Sequence, residues 1–269
     1  MNQIIHGDNL DVLKIFPNKC VDLIYIDPPF NTGKKKEMER TVVNTHNKPV
    51  VFSECTVSPN VAARKMSFDD NIDDYLEFLY DRVAESYRLL KDNGSFFFHI
   101  DYREGHYCKC MLDKIFGREC FMNEIIWSYE WGAKSRKKWS TKHDNIFWYV
   151  KNKKNYTFNY KEVDRVPYLA PSLVGPEKAK RGKTLCSVWW NSIVPTNGKE
   201  RTGYPTQKPL AILDRIVRVH TKPGDVVMDY FAGSGSMGEA AAKNGRSFIL
   251  IDSNADAIKV MEQRLGSFL

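Results

Sequence analysis

Asp225-Val226-Val227-Met228-Asp229-Tyr230-Phe231-Ala232-Gly233-Ser234-Gly235-Ser236-Met237-Gly238, with Phe248-Ile249-Leu250-Ile251-Asp252 after it, is the stretch that decides the fold. An apolar run of strand length enters a glycine turn. A helical stretch follows from Glu239 to Lys243 and stops at Asn244-Gly245, and a second apolar run ends in an acid. Strand, glycine turn, helix, strand and terminal acid predict a mononucleotide-binding half of a doubly wound sheet. The glycines let backbone approach a ligand, and the Asp252 carboxylate can accept both hydroxyls of a ribose. Gly233 to Gly238 also matches G-x-G-x-x-G, so a dinucleotide dehydrogenase is an equal reading of this stretch alone.

Two segments further out break the tie. Tyr204-Pro205-Thr206-Gln207-Lys208-Pro209 precedes an amphipathic helix predicted over Leu210 to His220. It brings a hydroxyl, an amide and an ammonium to a helix entrance where free backbone amides also point, a good seat for a carboxylate. A dehydrogenase has no need of a carboxylate clamp there. Near the N-terminus the buried-strand pattern Val21 to Ile26 ends in Asp27-Pro28-Pro29-Phe30. Each proline fixes φ near about −65° and donates no hydrogen bond, so the chain leaves the sheet in one rigid shape. That turn holds the Asp27 carboxylate and the Pro28 carbonyl as neighbouring acceptors beside the face of Phe30, which suits a planar group bearing an amino donor. An Asp-Pro-Pro standing alone would read as an ordinary strand exit with its acid in water.

With these segments together the chain resembles the site-specific DNA methyltransferases that modify exocyclic amino groups, in the beta class with permuted motif order. There the Asp-Pro-Pro-aromatic motif comes first, target recognition follows and the cofactor motifs come last. The resemblance extends to Ile5-His6-Gly7-Asp8, to Leu89 to Ser95, to Glu124-Ile125-Ile126-Trp127 and to His143-Asp144 with Ile146 to Val150. It implies an α/β, Rossmann-like S-adenosylmethionine-dependent methyltransferase fold: a doubly wound, mostly parallel sheet with a reversed C-terminal hairpin and a small inserted target-recognition region. The implied division is a catalytic half over 1–160, target recognition over 161–200 and a cofactor-binding half over 201–269.

The same resemblance implies S-adenosylmethionine as cofactor, S-adenosylhomocysteine as product, and no metal. It gives Asp27, Pro28, Pro29 and Phe30 the catalytic role, Phe30 as the face on which a flipped base stacks. Phe231, Gly233, Gly235 and Asp229 belong with the methionine and adenosine, Asp27 borders them, and Asp252 goes to the ribose. Thr206 and Lys208 go to the methionine carboxylate. Asp8 is a candidate near the adenine ring, with a helix N-cap as its equal alternative. An Asp at the first motif position goes mostly with N6-adenine, and N4-cytosine is the runner-up. A DNA-binding module with a decayed site is the reading from another class. Two positions depart from the usual pattern: Phe30 stands where Tyr is commoner, and Ser236-Met237 where a Thr pair is more usual.

Composition agrees. A chain of 269 residues with 42% hydrophobic content can build one α/β core with a small insertion, and its net charge of +7 is unevenly placed. Residues 131–200 hold fifteen Lys and Arg against five Asp and Glu, so this segment carries +10 and the remainder −3. Lys134, Arg136, Lys137 and Lys138 form one basic group and Lys180, Arg181 and Lys183 another, interleaved with aromatics. Both suit a duplex phosphate backbone. The expected partner is double-stranded DNA, with room for a homodimer and a cognate restriction endonuclease. No run reaches membrane-spanning length and the start lacks a signal pattern, so a cytoplasmic, nucleoid-associated protein without membrane contact is expected. The six cysteines show no C-x-x-C pair, which argues against zinc and a disulfide framework. Cys108 and Cys110 read as one buried and one exposed thiol on a helix.

Apolar periodicity predicts helices over Asn9 to Phe16, Asp70 to Lys91 with Asn93-Gly94 as its stop, and Tyr107 to Phe116. It predicts strands over Phe96 to Ile100, Glu124 to Tyr129 and Asn145 to Val150, the last two as partners. These are core elements to which the sequence assigns no chemistry. Gly33 to Met66 reads as a long loop or flexible insertion beside the active-site mouth, and Tyr168 to Asn197 as an irregular lobe able to read bases.

Overall fold

The computed structural model describes residues 2–31, 74–132 and 134–269, together with the backbone of the strands at 36–42 and 62–68. The chain begins β1 (Gln3–His6), α1 (Asn9–Ile15), β2 (Val21–Ile26), β3 (Lys36–Val42), β4 (Ala62–Phe68), α2 (Tyr75–Leu89) and β5 (Leu90–Ile100). It continues α3 (Gly105–Phe116), β6 (Phe121–Ser128), β7 (His143–Val150), β8 (Arg165–Val166), α4 (Pro176–Arg181), β9 (Lys183–Thr184) and β10 (Val188–Trp190). It ends α5 (Leu210–His220), β11 (Val226–Asp229), α6 (Ser236–Lys243), β12 (Ser247–Asp252) and α7 (Ala255–Leu265).

Among the described residues, eight strands join one sheet in the order β1-β12-β11-β2-β5-β7-β6-β10. Every neighbouring pair is parallel except the two that β7 makes, with β5 and with β6. β2 is an unbroken apolar run apart from Asp22, and all six of its residues are buried, as a central strand covered on both faces requires. From β11 the chain passes through α6 to β12 on one side; from β2 it passes through α2 to β5 on the other. The two loops depart in opposite directions, which opens a crevice beyond the carboxyl ends of β11 and β2.

The doubly wound, mostly parallel α/β sheet is the one expected, but the reversed C-terminal hairpin is not: the C-terminal strand β12 is parallel to both neighbours, and the reversed strand is β7, in mid-chain, between β5 and β6. α5 has the predicted bounds, and Cys108 is buried while Cys110 is exposed. Several local expectations are corrected. α2 ends at Leu89 and Asn93-Gly94 lies inside β5. There the register jumps from Val21↔Leu90 to Leu23↔Ser95, so the turn residues make a bulge rather than a helix stop. A Cβ on Gly94 would lie 3.0 Å from the Asp22 carbonyl oxygen, which explains glycine at the bulge. The expected loop over 33–66 instead carries β3 and most of β4 as an antiparallel ribbon, Lys36 opposite Phe68 and Val42 opposite Ala62. Residues 33–35 and 43–61 of that expectation lie outside the described ones. The lobe over 168–197 is less irregular than its prolines suggested, because β10 adds to the main sheet beside β6.

Candidate active site

Five carboxylates sit at the carboxyl ends of parallel strands: Asp8 two residues past β1, Asp27 and Asp101 just past β2 and β5, and Asp229 and Asp252 ending β11 and β12. Together with Asp144 of β7 they line a cleft of ≈ 520 Å³ whose cations are Arg82, Arg103 and Lys208. Pro28, Pro29, Phe30, Thr206, Phe231 and Gly233 also line it. The fold thus gathers in one place residues that are spread over almost the whole chain.

Asp27 is the centre of this arrangement. Its Oδ2 accepts from Lys208 Nζ in an ion pair whose two side chains are only 16% and 11% exposed. Its Oδ1 is buried and, among the described residues, has no hydrogen-bond partner. A buried carboxylate oxygen left unsatisfied costs roughly 1–3 kcal/mol or more, so a donor brought to it is strongly favoured. The Lys208 ammonium also stands 4.9 Å from the centre of the Phe30 ring. The Tyr75 hydroxyl donates to the Pro29 carbonyl at 2.6 Å, which holds the proline turn to the start of α2.

The glycine turn is built from the far side. Asp252 Oδ2 accepts from the Gly233 N–H and Oδ1 from the Asn254 N–H, both at 2.8 Å. Burial raises the Asp252 carboxyl above the usual range, against these two N–H groups. Asp229 is raised further, first by burial and then by the nearby Asp27 and Asp252 charges; the Phe231 N–H and Lys208 oppose this. Gly233 is left-handed at φ 49°, and a Cβ there would lie 3.1 Å from Tyr204 Cε1. Gly235, expected beside the cofactor, is not among the residues that line the cleft, although its neighbours Ser234 and Ser236 are. Its φ of 72° opens α6, and an added Cβ would lie 2.8 Å from Met261 Cγ, so chain reversal and packing by themselves require glycine there.

Asp8 caps α1, accepting from the Leu10 N–H at 2.9 Å, and also pairs with Arg82 at 3.1 Å; it is a helix cap on the cleft wall. The helix entrance of α5 differs from expectation too. The Leu210 N–H is taken by the Glu200 carboxylate at 3.0 Å. The Gln207 amide is held by Thr202 and the Glu200 carbonyl. Of the groups expected to seize a carboxylate, the Lys208 ammonium is engaged by Asp27, and its two remaining N–H groups can serve another acceptor.

Sequence reasoning missed several contributors. Arg82 of α2 donates from Nε to Asn9 Oδ1 at 2.6 Å and lies 3.9 Å over the Phe78 ring, which faces Phe231 at 6.2 Å. A charged residue next to Leu79 and Val83 of the apolar helical stripe was the available signal. His99, polar in an apolar strand, is fully buried behind Phe30 at 5.8 Å between ring centres. It bonds Tyr25 Oη at 2.7 Å and Asp144 Oδ2 at 3.2 Å, and Tyr129 donates to Asp144 Oδ1 at 3.0 Å. Burial works against the Asp144 charge, yet the hydrogen bond and charge of His99, with Lys208 beyond, hold its carboxyl below the usual range. Arg264 of α7 ties Ser234 and Ser236 of the glycine turn to Glu239, and nothing local in the sequence marks it.

A second hollow of ≈ 340 Å³ adjoins the cleft, sharing Phe30, Asp144 and Lys208. Trp127, Tyr129, Trp131, Ile193 and Val194 form most of its remaining wall. The basic residues 134, 136, 137 and 138 lie on an exposed loop between β6 and β7 whose base is closed by Lys142 donating to the Trp131 carbonyl at 2.7 Å. Lys180, Arg181 and Lys183 are exposed on and beside α4.

A doubly wound sheet with an acidic strand-end cleft and an aromatic hollow beside a rigid Asp-Pro-Pro-Phe turn defines a nucleotide-ligand enzyme of the Rossmann-like methyltransferase type. The chain belongs to the N6_N4_Mtase family of DNA methylases, whose pattern it matches over residues 21–263. It is 31% identical over 280 residues to the DNA adenine methyltransferase YhdJ of Escherichia coli (strain K12), covering 97% of this chain and 82% of that one. The Type II methyltransferase M.HpaI of Haemophilus parainfluenzae is 30% identical over 265 residues, covering 98% and 74%. The fold is shared with the crystal structure of an M1.HpyAVI-SAM complex, with a TM-score of 0.64, 23% identity and coverage of 98% and 99%.

Proposed function

We propose that the protein is an S-adenosylmethionine-dependent DNA methyltransferase that modifies the N6 amino group of an adenine flipped out of a duplex. The observation that carries this reading is the buried Oδ1 of Asp27, unpartnered among the described residues, in the acidic cleft, with Phe30 of the same turn lining the adjoining aromatic hollow as well. The cleft fits the cofactor. Six carboxylates against three cations suit a ligand bearing a sulfonium and an ammonium; each Asp252 oxygen keeps a lone pair for a ribose hydroxyl; Lys208 and Thr206 can meet a carboxylate. When bound, S-adenosylmethionine supplies an electrophilic methyl group on an excellent leaving group.

The chain's own residues supply the rest. An exocyclic amino lone pair is delocalised into its ring and is a poor nucleophile. Asp27 Oδ1 and the Pro28 carbonyl, accepting its two N–H bonds, favour a pyramidal nitrogen whose lone pair is free to attack in line. As the nitrogen becomes cationic, the Asp27 carboxylate stabilises it. Phe30 stacks on the base, an interaction worth roughly 1 to 3 kcal/mol, and the Trp and Tyr walls of the second hollow keep water from it. The exposed basic loop and the α4 face suit the phosphate backbone, and 161–200 with its two hollow-lining residues Ile193 and Val194 suits target recognition. The Asp-Pro-Pro-Phe turn precedes the glycine turn, which supports the permuted class. Adenine is favoured by the Asp at the first motif position and by likeness to YhdJ. We place the enzyme in the cytoplasm with its duplex substrate, and a restriction partner is consistent with its likeness to M.HpaI.

Nucleoside mass analysis of mixed-sequence duplex DNA, after incubation with protein and S-adenosylmethionine, tests this. N6-methyladenine is expected, and it should vanish with Asp27→Ala while cofactor binding persists. N4-methylcytosine in its place would establish the runner-up; no methylated base from any DNA that the protein binds would sink the reading.

A further inference from the structure

Lys208 reaches the catalytic turn from a segment 181 residues away in sequence and touches both of its working ends, the Asp27 carboxylate and the face of Phe30. A clamp for a cofactor carboxylate would need neither contact. The two oxygens of Asp27 are made unequal by it: Oδ2 is committed to the ammonium, and Oδ1 is left buried and open. A carboxylate free to rotate about its χ2 would present either oxygen or neither. Pinned through Oδ2, it presents Oδ1 in one direction.

We infer that Lys208 is a positioning residue for the methyl-transfer step, acting through Asp27 and Phe30, in addition to any contact with the cofactor. This rests on the methyltransferase reading above. The ammonium has three N–H donors, so holding Asp27 does not prevent it from meeting a ligand carboxylate as well. Its geometry then ties acceptor orientation, base stacking and cofactor site to a single side chain. Lys208 is itself held by its surroundings. Pro209 follows it into α5, Thr206 before it is in the left-handed region at φ 60°, and Gln207 is fixed by Thr202 and Glu200. A segment so constrained can aim a lysine that would otherwise lose considerable rotamer entropy when ordered.

The test separates positioning from cofactor capture. Lys208→Met, Lys208→Arg and Asp27→Asn proteins are compared for S-adenosylmethionine Kd by calorimetry and for single-turnover methylation at saturating cofactor and DNA. The positioning role predicts that Lys208→Met lowers the saturated rate by about 100-fold, the size seen when one preorganised group is removed, and that Lys208→Arg recovers part of it. Recovery of the wild-type rate at saturation, with only the cofactor Kd raised, overturns the inference. A second readout needs no activity: thermal midpoints of the cofactor-free wild type, Lys208→Met, Asp27→Asn and the double variant. A double variant that loses less than the two single variants together is expected from the ion pair, and strict additivity overturns it. Failure of the wild type to methylate DNA would fall on the functional reading instead, because the thermal cycle decides the ion pair by itself.

Discussion

His220 closes α5, the helix that opens on the Lys208 segment, and it should make the protein acid-sensitive in a calculable way. Its ring is packed against Phe97, Trp148 and Phe158 at centroid distances of 4.8, 4.4 and 5.4 Å. Burial pushes its pKa down to about 3, with a Thr157 backbone hydrogen bond in the opposite direction. Because the folded value lies below the unfolded one of about 6.5, the unfolded chain takes up the proton first. The stability associated with a neutral His220 is therefore complete above about pH 6.5 and is lost as pH falls toward the folded value. The limiting slope is about 1.4 kcal/mol per pH unit, so on the order of 2 kcal/mol should go between about pH 6.5 and pH 4.5. That is a large fraction of an ordinary domain's 5–15 kcal/mol.

The perturbation is His220→Phe, which cannot take a proton and keeps an aromatic ring among aromatic neighbours. Near pH 7.5 it should lie within about 1 kcal/mol of wild type, because loss of the Thr157 hydrogen bond is offset by removal of the buried imidazole Nδ1, which has no partner among the described residues. Near pH 4.5 the variant should be clearly the more stable, since carboxylate titration is common to both proteins and only the wild type bears the cost of a buried imidazolium. Urea unfolding at several pH values measures the difference directly. Parallel curves for the two proteins across this range would refute the reasoning, and would mean that the imidazole finds a charged form it can hold in the fold.

Gly235→Ala should lower the thermal midpoint by an amount corresponding to about 1–2 kcal/mol, because an L-residue is forced left-handed, with more for the clash with Met261. Cofactor affinity by calorimetry should change little, since Gly235 is off the cleft; a large loss of affinity at unchanged stability would contradict that placement. Changing Lys134, Arg136, Lys137 and Lys138 to Gln should weaken binding to duplexes of any sequence alike and reduce the slope of log K against log salt by about 0.9 for each phosphate no longer neutralised. An unchanged slope in a fluorescence titration would remove the loop from the DNA interface.

Much of this was legible locally. The glycine turn between two apolar strands, the proline turn after β2 and the helix Leu210–His220 each announce themselves through neighbours in sequence, because strand burial, proline φ and helical periodicity act over a few residues. Composition located the basic segment. The class of chemistry came from the family resemblance carried by the Asp-Pro-Pro-Phe, Pro-Thr-Gln-Lys-Pro and glycine segments together, since the Asp-Pro-Pro turn alone reads as an ordinary strand exit. Where a local signal competed with packing it misled: Asn93-Gly94 looked like a helix stop and became a bulge.

Pairing across the fold was decided only by tertiary structure. Lys208 and Asp27 are 181 residues apart, Asp252 and Gly233 meet through the crossover of β11 and β12, and His99 meets Asp144 across β5 and β7. No periodicity encodes which oxygen of Asp27 is satisfied and which is left open. That depends on one ammonium arriving from a distant helix entrance, and a carboxylate's orientation is fixed by what reaches it in space.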